Sequence, residues 1–130
     1  IPTLLWADLS NAYVWITLFV TASFGLLGFI DDYLKVRKRN SAGISARGKL
    51  SVQIMIALLT TLILMKTSGF PTTVVFPFFK HFSPDIGWGY LLLGVLVIAG
   101  TSNAVNLTDG LDGLAIGPTM ISSATYTLFA

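Results

Sequence analysis

Four apolar stretches separated by short polar segments organise this chain. Residues 11–30 carry no charge and open on Tyr13 and Trp15. Residues 50–65 are bracketed by Lys49 and Lys66, whose aliphatic stems can lie along an apolar surface while the ammonium stays wet. Residues 88–107 again open on aromatic side chains, Trp88 and Tyr90, placed as membrane-interface anchors would be. Residues 114–130 form the last run. A bilayer crossing takes about 20 residues as a helix and about 10 as a barrel strand, so runs of this length predict helices. The expected fold class is all-α: one polytopic membrane helix bundle over residues 1–130, with four transmembrane helices. Between the second and third runs, residues 72–76 are β-prone and bracketed by Pro71 and Pro77, and a small extracytoplasmic β-hairpin is expected near 72–80.

Composition sharpens this picture. The chain is 54% hydrophobic and 11% charged, against about 25% charged in soluble domains, and its mean hydropathy is +0.78. That excludes a disordered tail and argues against a soluble enzyme or nucleic-acid module. The net charge of +2 is too weak to suggest nucleic acid, and the absence of cysteine excludes disulfides and thiolate metal sites. The chain opens on Ile1 with no basic leader and stops within an apolar run, so it reads as an internal piece of a longer membrane protein.

Charge then sets sidedness. Lys35, Arg37, Lys38, Arg39, Arg47 and Lys49 are six of the eight basic residues. The positive-inside rule makes residues 31–49 cytoplasmic, with residues 108–113 on the same side and 67–87 outside. His81 is then an outer surface residue, and Phe76, Phe78 and Phe79 form an aromatic belt. Both polar clusters of the chain, Asp31-Asp32 and the run from Asn103 to Asp112, fall at cytoplasmic span ends and are expected to converge.

Asp31-Asp32 has a plain reading as solvated carboxylates where a helix leaves the bilayer. Against it, acids at a helix C-terminus oppose the macrodipole, and ionisable residues at a membrane edge tend to be functional. Neighbouring helical residues diverge by about 100°, so the pair should divide its roles. Asn103, Asn106, Asp109 and Asp112 recur every three residues. On a regular helix the steps from first to last would turn the direction by about 180°, so fraying into a tighter turn near Gly110 and Gly113 is expected. These side chains suit a hard divalent cation or the edges of a sugar or base; an ordinary Asn/Asp/Gly exit turn is the plain alternative. The basic segment would attract anionic lipid in any case, but beside two acidic clusters it can hold phosphate, Arg47 and Lys49 best of all. Together these groups suggest Mg²⁺-assisted phosphoryl chemistry on a lipid phosphate.

Four segments carry a resemblance: Gly28-Phe-Ile-Asp-Asp-Tyr-Leu-Lys35, Gly43-Ile-Ser-Ala-Arg-Gly-Lys49, Phe76-Pro-Phe-Phe-Lys80 and Asn103-Ala-Val-Asn-Leu-Thr-Asp-Gly-Leu-Asp-Gly-Leu-Ala115. In order along nearly the whole chain, they resemble the phospho-N-acetylmuramoyl-pentapeptide transferase (translocase I) family. The last segment is specific to the wider polyprenyl-phosphate sugar-phosphate transferase superfamily. The resemblance implies a multi-pass enzyme of the bacterial cytoplasmic (inner) membrane with its active site facing the cytoplasm. It implies transfer of phospho-MurNAc-pentapeptide from UDP-MurNAc-pentapeptide to undecaprenyl phosphate, giving lipid I and UMP in peptidoglycan synthesis. The cofactor implied is Mg²⁺; the partners are the two substrates and membrane lipids, without nucleic acid, and a homodimer is left open. It implies Asp31 and Asp32 as catalytic residues, and Asn103, Asn106, Asp109, Asp112, Lys35, Arg47 and Lys49 as substrate-binding residues. Asp109 and Asn106 would touch the metal, whose main ligand would lie beyond Ala130, so the isolated piece is expected to be inactive. Competing readings are a polyprenyl-phosphate N-acetylglucosamine-1-phosphate transferase, a membrane transporter, and an inactive membrane scaffold.

Overall fold

The computed structural model describes residues 2–38, 43–67, 69–76, 82–110 and 113–129. Five helices follow one another: α1 (Pro2–Trp6), α2 (Ala12–Lys38), α3 (Ala46–Lys66), α4 (Gly89–Thr108) and α5 (Ile116–Phe129). Local chemistry sets the helix starts. Asn11 Oδ1 accepts the Tyr13 N–H at 2.9 Å before α2, and the Ser45 hydroxyl accepts the Gly48 N–H at 3.2 Å before α3, each meeting a donor that the first turn leaves unpaired.

Among the described residues, α2, α3 and α4 are long and apolar enough to cross a membrane. At 1.5 Å per residue they span about 30 to 40 Å, against a hydrocarbon layer of about 30 Å. The expected fourth span corresponds to α5, whose 14 residues reach about 21 Å. α2 does not end with its apolar run at Ile30 but continues to Lys38. The Asp31–Lys35 pair at i,i+4 and the basic last turn, which suits the negative end of the dipole, carry it onward. The aspartates therefore stand on helix, not on loop.

α3 packs against both α2 and α4. Its residues 49, 53, 57 and 61 fall at i,i+4 spacing, and Gln53, Ala57, Thr60 and Thr61 are buried. Hydroxyls of Thr60 and Thr61 donate to the carbonyls of Ile56 and Ala57, both at 2.8 Å, so no donor is stranded. Large apolar side chains such as Phe29, Leu59, Leu96 and Val105 are exposed instead. Small and hydroxyl residues inside with large apolar ones outside is the pattern of helices that associate in lipid, where close approach and hydrogen bonds replace the hydrophobic drive. α4 comes close to α3 at Gly94, where an added Cβ would overlap Thr61 Oγ1.

The helix starts of α2 and α4 meet at one end, where Phe70 packs on Tyr13 (6.4 Å between centroids) and edge-on against Tyr90 (5.2 Å). Beyond α3 the described residues contain one antiparallel bridge, Thr73 with Asp85, and no strand. Its bonds are Val74 N–H to Pro84 O (3.0 Å) and Ile86 N–H to Thr72 O (3.2 Å). Asp85 Oδ1 also accepts from the Thr72 hydroxyl and from the Gly87 N–H, and these donors, the hydroxyl first, hold its carboxyl below the ordinary carboxylate range. Much of the hairpin expected near 72–80, with Phe78, Phe79, Lys80 and His81, lies outside the described residues.

Candidate functional site

The site forms where α2 ends, α3 begins and α4 ends. Asp31 is buried there. Its Oδ1 accepts the Ile44 N–H at 2.8 Å, just ahead of α3. Its Oδ2 lies 2.9 Å from Lys35 Nζ, one turn on, and 3.3 Å from Lys49 Nζ in the first turn of α3. A buried carboxylate is tolerable when so paired and hydrogen-bonded. The close fit of the α2–α3 connection requires glycine at 43, since a Cβ there would overlap Asp31 Oδ1. Asp32 turns away and, among the described residues, meets the shared partner Lys35 at 3.0 Å. The divergence expected of adjacent helical residues is thus realised.

Lys49 connects this clamp to α4. It lines a cavity of about 250 Å³ together with Gln53, Ser102, Asn106 and Asp109. The two polar clusters, expected to converge, meet through this one lysine. A second, apolar groove of about 450 Å³ runs between α2 and α4 past Val20, Val97 and Ile98, and shares Phe24, Ser102 and Val105 with the polar cavity.

The three-residue register of α4 does not hold as one unit. The helix stays regular through Thr108, whose hydroxyl donates to Ala104 O at 2.9 Å, so Asn103 and Asn106 diverge. Asn103 turns to the α3 interface, where its Nδ2 donates to Gln53 Oε1 at 2.8 Å and to Ala99 O at 2.7 Å. Asn106 and Asp109 face the cavity. Tightening starts only at the helix end: Gly110 N–H bonds Leu107 O at 3.2 Å, and Asp109 Oδ1 accepts the Ala115 N–H at 3.1 Å. Asp112 lies outside the described residues, as does Arg39. Arg47 is exposed on α3 and is not among the residues that line the cavity.

Gln53 is the residue that sequence reasoning passed over. Its signal is a lone amide inside an apolar run, four residues after Lys49 and on the face that packs. As for a metal, no three carboxylates or imidazoles gather among the described residues. The cavity offers instead one carboxylate (Asp109), two amides and a hydroxyl. That donor set suits Mg²⁺, which keeps several waters and takes one or two carboxylates plus phosphate oxygens.

Comparison with known proteins adds to this geometry. The glycosyl transferase family 4 description matches residues 14–130. The chain is 51% identical over 130 residues to a Phospho-N-acetylmuramoyl-pentapeptide-transferase of Syntrophus aciditrophicus, covering 100% of this chain and 36% of that relative. A protein of the same name from Pelobacter propionicus is 54% identical with the same coverage. One from Desulfatibacillum aliphaticivorans is 56% identical over 98% of this chain and 36% of its own length. The chain therefore spans 36% of the length of these curated relatives. Because the matched span takes in the α2 aspartates, the capped start of α3 and the cavity-facing end of α4 together, the chain belongs to glycosyl transferase family 4.

Proposed function

We propose that the complete protein transfers phospho-N-acetylmuramoyl-pentapeptide from its UDP carrier to undecaprenyl phosphate, forming lipid I and UMP in peptidoglycan synthesis. One observation carries the reading on the structural side. Lys49, anchored by Asp31, stands on a polar cavity with Asn106 and Asp109 that opens into an apolar groove. A phosphate on a long polyprenyl tail asks for that succession of surfaces, and the name borne by the similar relatives supports the same substrate class. In this reading the cavity end of the bundle faces the cytoplasm across the bacterial inner membrane, as the basic residues at that end favour, and α5 begins a fourth crossing.

The transfer needs little covalent work from the protein. A phosphate oxygen of the polyprenyl acceptor attacks the phosphorus that bears the sugar. The bond from that phosphorus to the bridging oxygen breaks, and this oxygen leaves with UMP and the electron pair. The acceptor's proton passes to a carboxylate of the α2 pair. Lys35, Lys49 and Arg47 hold phosphate oxygens, so positioning and charge neutralisation supply most of the rate. Asp109 and Asn106 are the residues of this chain that would hold Mg²⁺, which when bound neutralises charge on the diphosphate.

The full-length enzyme, with undecaprenyl phosphate in detergent, is to be offered radiolabelled UDP-MurNAc-pentapeptide and UDP-GlcNAc in parallel. Label entering lipid from the muramoyl donor alone is expected. Label from UDP-GlcNAc alone would move the reading to the N-acetylglucosamine branch, and none from either would end it.

A further inference from the structure

Gln53 carries a hydrogen-bond donor that the fold leaves unspent. The residue is 3% exposed, and its Oε1 accepts from Asn103 Nδ2 at 2.8 Å. The same Nδ2 donates to Ala99 O at 2.7 Å. A backbone carbonyl can only accept, so the Asn103 atom facing it is nitrogen and the Gln53 atom facing that nitrogen is oxygen. The Gln53 amide is thereby oriented, with Nε2 on its other side. Among the described residues Nε2 donates to no protein group, yet no fully buried side-chain nitrogen or oxygen lacks a partner. Nε2 is therefore open to the cavity that Gln53 lines.

Lys49 lines the same cavity from one helical turn earlier on the same face of α3. Asp31 Oδ2 takes one of its three ammonium protons at 3.3 Å and leaves others free. The α3 wall thus offers an ammonium and an amide N–H, both donors, while α4 brings Asn106 and the Asp109 carboxylate. A ligand that fits turns anionic oxygens toward α3. Phe24, Leu27 and Val105 also line this cavity, and beside them a neutral amide costs far less to keep than a second cation.

We propose that Gln53 is a substrate-binding residue whose Nε2 donates to a phosphate oxygen that Lys49 neutralises, with Asn103 holding the amide in its donating orientation. This rests on the transferase reading, in which both the polyprenyl acceptor and the UDP-linked donor carry phosphate.

The test uses the full-length enzyme with Gln53→Glu and Gln53→Met. The first is isosteric and keeps an oxygen for Asn103 but puts an acceptor in place of Nε2. The second keeps the length and offers neither group. For each, KM is measured for undecaprenyl phosphate and for UDP-MurNAc-pentapeptide, with the rise in unfolding midpoint that each substrate confers. Both variants should raise one KM about 10-fold or more, as loss of a hydrogen bond to a charged group requires, and shrink the matching midpoint rise. The other KM should stay within about threefold. A change confined to undecaprenyl phosphate assigns the acceptor phosphate, and one confined to the nucleotide substrate assigns the diphosphate. Wild-type KM values and midpoint rises for both substrates in either folded variant overturn the proposal, leaving an amide that only joins α3 to α4. Equal losses for both substrates overturn it too, because they mark a distorted cavity. Should one variant fail to fold, the other decides alone. A wild-type enzyme that makes no lipid product refutes the transferase reading instead, and the midpoint rises still decide on Gln53.

Discussion

Gly43 offers the most direct test of the aspartate clamp, because its missing Cβ is what lets the chain lie on Asp31. Gly43→Ala must push the backbone off Oδ1 and lengthen the Ile44 hydrogen bond. The expected cost is about 1–3 kcal/mol, that of a compromised buried polar contact, read as a lowered midpoint of thermal unfolding in detergent. Gly25→Ala is the control. Nothing lies within 4 Å of a Cβ at that position in the middle of α2, so a neutral change or a gain of up to about 1 kcal/mol is expected. Equal losses at both positions would mean that the clamp is not tight. At the other end, the Thr72–Asp85–Gly87 turn should respond to pH. Its donors lower the folded-state pKa of Asp85 below the ordinary Asp value of 3.8, so their contribution is complete above 3.8 and is lost as pH falls through the lowered value. Carboxyl NMR should find Asp85 titrating below an unstructured Asp, and Thr72→Val should move it back toward 3.8. The residue types of the site were legible in the sequence, because Asp and Lys in a chain only 11% charged stand out. Which aspartate is enclosed was not, since it depends on where the backbone of residues 43–44 returns.

For the elements, apolar run length located the three long helices but not their ends. An apolar run measures what can sit in lipid, whereas a helix ends where backbone bonding ends, and in α2 ion pairing prolongs it by eight residues past Ile30 to Lys38. The same distinction explains α4. Expecting its polar register to share one loop overlooked that a helix well bonded through Thr108 sends Asn103 and Asn106 to different neighbours. The α3–α4 contact was not read from the sequence: its small and polar residues at 53, 57 and 61 lie scattered in an apolar run, and its depth at Gly94 depends on how the two helices cross. Gly94→Ala should destabilise the pair by about 1–3 kcal/mol through overpacking. Thr61→Ala removes the overlapping Oγ1 and Cγ2, so the double variant should recover more than half of that loss, read as a double-mutant cycle of unfolding midpoints. Strict additivity would show that the two helices do not meet there.

Across the whole molecule, α2, α3 and α4 alternate in direction, which puts the Tyr13–Phe70–Tyr90 cluster at one end and Asp31, Lys49 and Asp109 at the other. The parity of this arrangement has a physical test, because Arg37 at the end of α2 and Val75 beyond α3 are separated by one crossing of α3. If that helix spans the bilayer, the two positions face different compartments. The chain contains no cysteine, so single replacements Arg37→Cys and Val75→Cys give unambiguous labels here once any cysteines in the rest of the enzyme are removed. Both side chains are exposed, and neither lines the cavity. With a membrane-impermeant maleimide, Cys at 75 should react in spheroplasts and Cys at 37 only in inverted vesicles, as the positive-inside rule predicts for the basic residues gathered near Arg37. Labelling of both from one face would deny α3 its crossing. Labelling from reversed faces would keep the crossings, but it would put the Asp31–Lys49 cavity on the outer side, out of reach of a cytoplasmic nucleotide donor. Sidedness thus bears on the proposed chemistry as well as on topology, because in that reaction a water-soluble UDP-sugar and a lipid phosphate could meet only at the end of the bundle that the donor can reach.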